Sequence, residues 1–272
     1  MHPIEHLRYV ARAGGVDPVD LASEAAHALG AFDDDPAGLV AAARQLVARH
    51  PAVCPLWWLC SRVLVAPDPM VEGLAASDEL ANDPTDGVLA AFLPDEARLL
   101  IIGWPPTVVP ALARRGDLDV LAADDGTGVD VGRALGRVDI PVVDVTTQAV
   151  GAAAATVDIV ILEASAAGPT SAVCAPGSRA AAAVARAAGR TVWLVTPVGR
   201  VLPGPTYEAC LAGAVDPDEP WESDLDIVPL DLVDRIVGIE GPVDVATGVR
   251  TPGCPVAPEL LVRSRTPGSY RG

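Results

Sequence analysis

The chain has no lysine. Its 19 basic residues are all arginine, against 36 acidic ones, and the formal net charge is -17. Such a surface lacks the basic footprint needed to bind nucleic acid and does not suit an anionic membrane. A local arginine-lined pocket for a phosphate stays open. The cysteines lack a framework: Cys54, Cys60, Cys174, Cys210 and Cys254 contain no C-x-x-C pair and stand at no ligand spacing from the four histidines. Reduced thiols in a cytoplasm are therefore expected, with no metal site and no cofactor. The opening MHPIEHLRYVARAGG lacks the basic-then-apolar build of a signal peptide. No run reaches the roughly 18–20 uncharged apolar residues of a membrane helix. No G-x-G-x-x-G follows a strand-like run, which weighs against a generic dinucleotide-binding enzyme.

What is present is a globular chain, half of it hydrophobic, and long enough for one domain or two. Residues 1–93 read as a helical N-terminal domain. DPVDLASEAAHALGAF and DDDPAGLVAAARQLVARHP open on Asp-Pro signals, and the second runs toward Arg44 and Arg49, in keeping with the helix dipole. PLWWLCSRVLVA is apolar on nearly every side, as a buried helix is. Residues 94–272 read as a Rossmann-like α/β domain. ARLLIIG, LDVLAA, DIPVVDV, VDIVILE and RTVWLVT are short aliphatic runs of the kind buried in parallel sheets. They alternate with helical segments PTVVPALARRG, GVDVGRALGRV, TTQAVGAAAATV and GSRAAAAVARAAG. In such a sheet ligands bind at the carboxyl ends of the strands. Those ends are 103–107, 124–128, 144–148, 163–178 and 196–200. The longest, between VDIVILE and the helix after Ser178, reads as an irregular, small-residue loop, with Ser178 as N-cap and Gly189 as the stop.

These strand ends, in this order, resemble the translation initiation factor 2B alpha/beta/delta family. Related to it are the methylthioribose-1-phosphate and ribose-1,5-bisphosphate isomerases. VDIPVVDVTTQAVGAAAATVDIVILEASA is similar to the family's G-I-P-V-T-x-I-x-D-x-A-V-G run followed by V-D-x-V-x-V-G-A-D. DIVPLDLVDRIVGIEGPV is similar to D-x-T-P-x-x-L-I-x-x-I-x-T-E-x-G. The resemblance implies a helical N-terminal domain, a Rossmann-like parallel-sheet domain of the initiation factor 2B and phosphosugar isomerase type, and pairing into a homodimer. It also shows departures. The isomerases' C-N-x-G turn is here Gly103-Trp104-Pro105-Pro106, with no thiol. Their G-A-D is Glu163-Ala164-Ser165, and their N-K-x-G-T is Cys174-Ala175-Pro176-Gly177-Ser178. An acid–base proton shuttle would lack both of its usual partners.

Several residues carry two readings. Gly177 and Ser178 form a phosphate cradle at a helix start or an ordinary cap, and Arg179 pairs with that phosphate or is solvated. Arg133 sits where the family has a basic residue after Gly; Gly103 and Thr107 sit in the first strand-end turn. Asp144 contacts a ligand or caps the helix near Thr146. Glu163 is a general base or half of an ion pair with Arg133 or Arg200. Trp104 stacks on a base or, the favoured reading, plugs an emptied pocket. Asp124-Asp125 reads as a turn and not as a metal site. The function expected is a non-catalytic protein that binds a sugar phosphate or nucleotide, or acts through protein contacts. The alternatives are an isomerase rebuilt around Glu163, Ser165 or Cys174, and a regulatory subunit of a translation factor complex.

Overall fold

The computed structural model describes residues 17–32, 34–126, 136, 141–215, 218–250 and 253–261. Arg133, and with it the expected helix GVDVGRALGRV apart from Gly136, lies outside the described residues. Between Pro18 and Phe92 the described residues build five helices: Pro18–Gly30, Pro36–Arg49, Cys54–Val65, Pro69–Ala81 and Thr85–Phe92. Three of these helices start on an Asp-Pro pair. Asp17 accepts from Val19 N and Asp20 N, Asp35 from Gly38 N, and Asp68 from Val71 N. The aspartate satisfies otherwise orphaned amides, and proline at the first position removes a donor that has no partner there. Helix Cys54–Val65 runs through the middle of this layer, with every residue from Cys54 to Ser61 buried.

The second half builds a seven-stranded sheet from β1 (Arg98–Ile102), β2 (Asp119–Ala123), β3 (Val142–Val145), β4 (Ile159–Glu163), β7 (Thr191–Val195), β9 (Arg235–Gly238) and β10 (Gly241–Val243). The spatial order is β10-β9-β7-β4-β1-β2-β3, parallel throughout except for β10 against β9. All five runs expected as strands are strands. Alternation along them feeds two cores. Leu100, Ile102, Val160, Leu162, Val192 and Leu194 face one side with helix Ser178–Ala187. Leu99, Ile101, Ile159, Ile161, Trp193 and Val195 face the other with helix Val108–Ala113. This is the doubly wound arrangement, covered on both faces.

The stretch expected as an irregular loop is instead partly sheet. β5 (Ala166–Ala167) and β6 (Ser171–Cys174) pair antiparallel, and β6 pairs with β8 (Asp226–Pro229) in a second, three-stranded sheet. The ladder satisfies backbone groups that a buried loop would leave unpaired. Helix Thr85–Phe92, on the helical side of the expected boundary at residue 93, contributes Leu89 and Ala90 to the sheet's own core. Conversely, Ala166, Val173, Leu202, Tyr207 and Leu260 pack into the core of the helical layer. The two halves therefore share buried surface. No helix among the described residues is long and apolar enough to cross a membrane.

Candidate functional site

The chain leaves β1 for β2 on one side and later returns to β4 on the other, so the direction of winding reverses between β1 and β4. A crevice opens outside the carboxyl ends of such a pair. Here it is a cavity of about 320 Å³. Its walls come from the end of β1 (Ile102, Trp104, Pro105, Pro106), the end of β4 (Leu162 to Ser165), the start of helix Ser178–Ala187, and Arg200. Pro18 and Ala52 of the helical layer close one side, and Asp125, Asp224 and Leu225 complete the lining.

The turn after β1 begins with Gly103 at φ 61°, where a Cβ would also collide with the Asp125 carboxylate. Only glycine takes this conformation without strain. The turn delivers the start of helix Val108–Ala113 to Glu163. Thr107 N and Val108 N donate to Glu163 Oε2 at 2.9 and 3.1 Å. Burial pushes the Glu163 carboxyl up from its ordinary value. Hydrogen bonds from Thr107 and Val108 and the charge of Arg200 work against that shift. Glu163 therefore caps a helix, and the expected ion pair with Arg200 is not formed.

A second carboxylate does the same at helix Ser178–Ala187. Gly177, at φ 91°, is the N-cap of Ser178–Ala187, so Ser178 is the first helical residue and not the cap expected from the sequence. Arg179 N donates to Asp226 Oδ2 at 2.9 Å. The position foreseen for a phosphate is held by a side chain of the protein itself, 47 residues further along. Arg179 is exposed and does not line the cavity, so its guanidinium is not where the phosphate reading needs it.

The other candidates divide. Glu163, Ser165 and Ser178 line the cavity; Gly103, Thr107, Gly177 and Asp144 do not. Asp144 is exposed on edge strand β3, and the short turn Thr147–Ala149 beyond it has no side-chain cap. Cys174 is fully buried behind the wall, and burial raises its thiol far above the usual range. Trp104 is 39% exposed at the rim and leaves the cavity open, contrary to the favoured plug reading. Asp124 Oδ1 accepts from Gly126 N at 2.9 Å, the turn expected there. No group of metal-ligating side chains occurs among the described residues.

The sequence named Arg200 only as an ion-pair partner for Glu163. It is 9% exposed and lines the cavity. Its backbone is fixed: its amide donates to Pro197 O at 3.2 Å, and its carbonyl accepts from Ala167 N at 2.7 Å. Its guanidinium reaches Ser165 O at a long 3.4 Å and makes no ion pair with the described carboxylates. Its place at the carboxyl end of β7 was the available signal. Ser178 is 1% exposed, and its hydroxyl makes no hydrogen bond among the described residues.

A doubly wound domain with a switch-point cavity, roofed by a helical layer, is the class these observations define. Solved structures narrow it. Translation initiation factor eIF-2B of Pyrococcus horikoshii OT3 is 15% identical with a TM-score of 0.71, over 91% of this chain and 98% of that one. The tetrameric eIF2B-beta2-delta2 complex of C. thermophilum is matched at 18% identity and TM-score 0.68, over 91% and 92%. The 5-methylthioribose 1-phosphate isomerase of Pyrococcus horikoshii OT3 is matched at 15% and 0.61, over 91% and 86%. The chain thus has the fold of eIF2B subunits and of that isomerase. No family model and no curated protein matches the sequence.

Proposed function

We propose that the switch-point cavity binds a small phosphorylated molecule and does not isomerise it. The observation that carries this reading is Arg200, a buried cation facing an open cavity without an ion pair among the described residues. A buried charge of this kind is costly unless something pairs with it, and an anionic ligand would supply the partner. Aldose–ketose exchange needs a group that carries a proton between neighbouring carbons. No cysteine lines the cavity among the described residues, Ser165 offers a hydroxyl and no carboxylate, and Glu163 is engaged by the Thr107 and Val108 amides. Melting temperature against a panel of sugar phosphates and nucleotides tests binding. A ligand at 100 times its Kd adds about 2.7 kcal/mol. Turnover of 5-methylthioribose 1-phosphate by the purified protein would overturn the non-catalytic part.

A second reading, action through protein contacts in a homodimer or a larger complex, is favoured by exposed apolar side chains. Met70, Val71 and Leu74 are 46%, 62% and 48% exposed on one helix, and Phe92 and Ile239 are each 54% exposed. The eIF2B-beta2-delta2 likeness is to a tetramer by its own description. Sedimentation at micromolar concentration tests this; a clean monomer counts against it.

A further inference from the structure

We infer that a second cavity, between the helical layer and the β9–β10 edge of the sheet, is a binding site for one small uncharged heteroaromatic base that carries an amino group. This goes beyond the reading above and does not depend on it. The cavity has a volume of about 250 Å³. Trp58 and Glu79 line it from the helical side, Thr196 from the end of β7, and Ile236 and Glu240 from β9 and the turn into β10. It is separate from the switch-point cavity: Arg200 lines that one, and its neighbours Gly199 and Val201 line this one. Two buried polar groups in its wall carry the inference. Trp58 is 3% exposed and Thr196 6%, and neither the indole N–H nor the hydroxyl makes a hydrogen bond among the described residues. A buried donor left unmet is costly. The space before each is kept open by a glycine of the lining. Thr196 Oγ1 lies 3.6 Å from where a Cβ on Gly238 would stand, and Trp58 Nε1 lies 4.0 Å from one on Gly253.

The lining selects the ligand. An indole N–H only donates, so the ligand needs an acceptor before Trp58. Glu240 is exposed at the rim and has no partner among the described residues; its carboxylate only accepts, so the ligand needs a donor there. Glu79 already gives both of its oxygens to Arg62. No basic side chain among the described residues lines the cavity, so a phosphate or a carboxylate would meet two like charges and no cation. A simple amine would satisfy Glu240 and offer nothing to Trp58. Val198, Val201 and Val243 add apolar wall, which a ring covers and against which a polyol would leave hydroxyls unmet. The volume falls below the roughly 300–1,000 Å³ of sites for drug-sized ligands, which suits a base alone and not a nucleotide.

Calorimetric titration of the purified full chain with adenine, purine and nicotinate tests the site. Adenine is expected to bind, purine, which lacks the amino group, several-fold more weakly, and the anion nicotinate more weakly still. Thr196→Val, which keeps the shape and loses the hydroxyl, and Glu240→Ala each raise the Kd for adenine several-fold. Gly238→Ala raises it further, because its Cβ would stand at an ordinary contact distance from Thr196 and fill the space before the hydroxyl. Excess inorganic phosphate, which competes for the switch-point cavity, leaves the Kd for adenine within twofold. Should Gly238→Ala fail to fold, Glu240→Ala, at an exposed position, keeps the site testable. The site is overturned if purine or nicotinate binds as tightly as adenine, if the Thr196 and Glu240 variants bind adenine as the parent does, if phosphate displaces adenine, or if the parent binds neither adenine nor purine. The reading of the switch-point cavity stands or falls separately, by the sugar phosphate panel.

Discussion

Arg62 and Arg200 are both largely buried, one in the helical layer and one at the mouth of the sheet, and their surroundings differ in kind. Arg62 lies 4.4 Å over the Trp58 ring and pairs with Glu72 and Glu79, which it meets through its own Nε and Nη atoms. Each of its three nitrogens donates to a carboxylate, and hydrogen bonding to Glu79 is the main influence raising its pKa. Arg200 has Ser165 O at 3.4 Å and an open cavity in front of it. A buried arginine whose donors are met within the protein holds the scaffold together. One whose donors face a cavity is a candidate for meeting something from outside. The difference is in the partners, since burial alone would class the two together.

That contrast can be broken or sharpened by mutation. The largest effect is expected at Arg62. Arg62→Met removes the stacking on Trp58 and leaves Glu72 and Glu79 unpaired. Because those side chains are 30% and 50% exposed and can hydrate, the loss is about 2 kcal/mol and not the 3–5 of a fully buried pair, read by urea unfolding. Arg200→Met goes the other way without ligand: removing a buried charge that has no ion pair among the described residues should raise stability by about 1 kcal/mol. A loss as large as that at Arg62 would make Arg200 a scaffold residue and end the comparison. Asp226→Asn keeps an acceptor for Arg179 N but removes the charge facing the helix start. It should lower the melting temperature by the equivalent of about 0.5 kcal/mol.

The smallest effect lies at Glu163 and is one of pH. Burial raises its carboxyl above the ordinary 4.5, so the folded chain holds that proton to higher pH than the unfolded chain does. The group's contribution to stability is then fully present below 4.5 and is lost as pH rises through the folded value. Glu163→Gln cannot titrate, so its stability relative to the parent should climb with pH across that window. Urea unfolding at several pH values checks the slope. A relative stability that falls with pH would mean that the helix amides outweigh burial.

How much could be read beforehand varied with the range of the interactions. The aliphatic runs 97–103, 118–123, 139–145, 157–163 and 190–196 contain β1, β2, β3, β4 and β7, because a strand buried on both faces writes its burial into its own residues. β5 and β6 were missed. They have two and four residues, and β6 is a strand through Ser171 to Cys174 pairing with Pro229 to Asp226, more than 50 residues away. β10 contains Pro242 and pairs only with β9, as an edge strand does. At the site, the sequence marked Glu163, Ser165 and Ser178, which line the cavity, and Arg179, which does not.

By itself the sequence determined the alternation of helix and strand, the acidic surface, and the positions of the turns at the carboxyl ends of the sheet. Each of these is set by neighbours along the chain: periodicity, capping aspartates, glycines at positive φ. Only the tertiary structure decided which charges are satisfied. Glu163 is engaged by amides 55 and 56 residues away, Arg179 N by a carboxylate 47 residues away, and the cavity before Arg200 is closed in part by Pro18 and Ala52 of the helical layer. Whether a buried charge has a partner depends on what the fold brings within hydrogen-bonding distance, and that distance is not written in the spacing of residues along one chain.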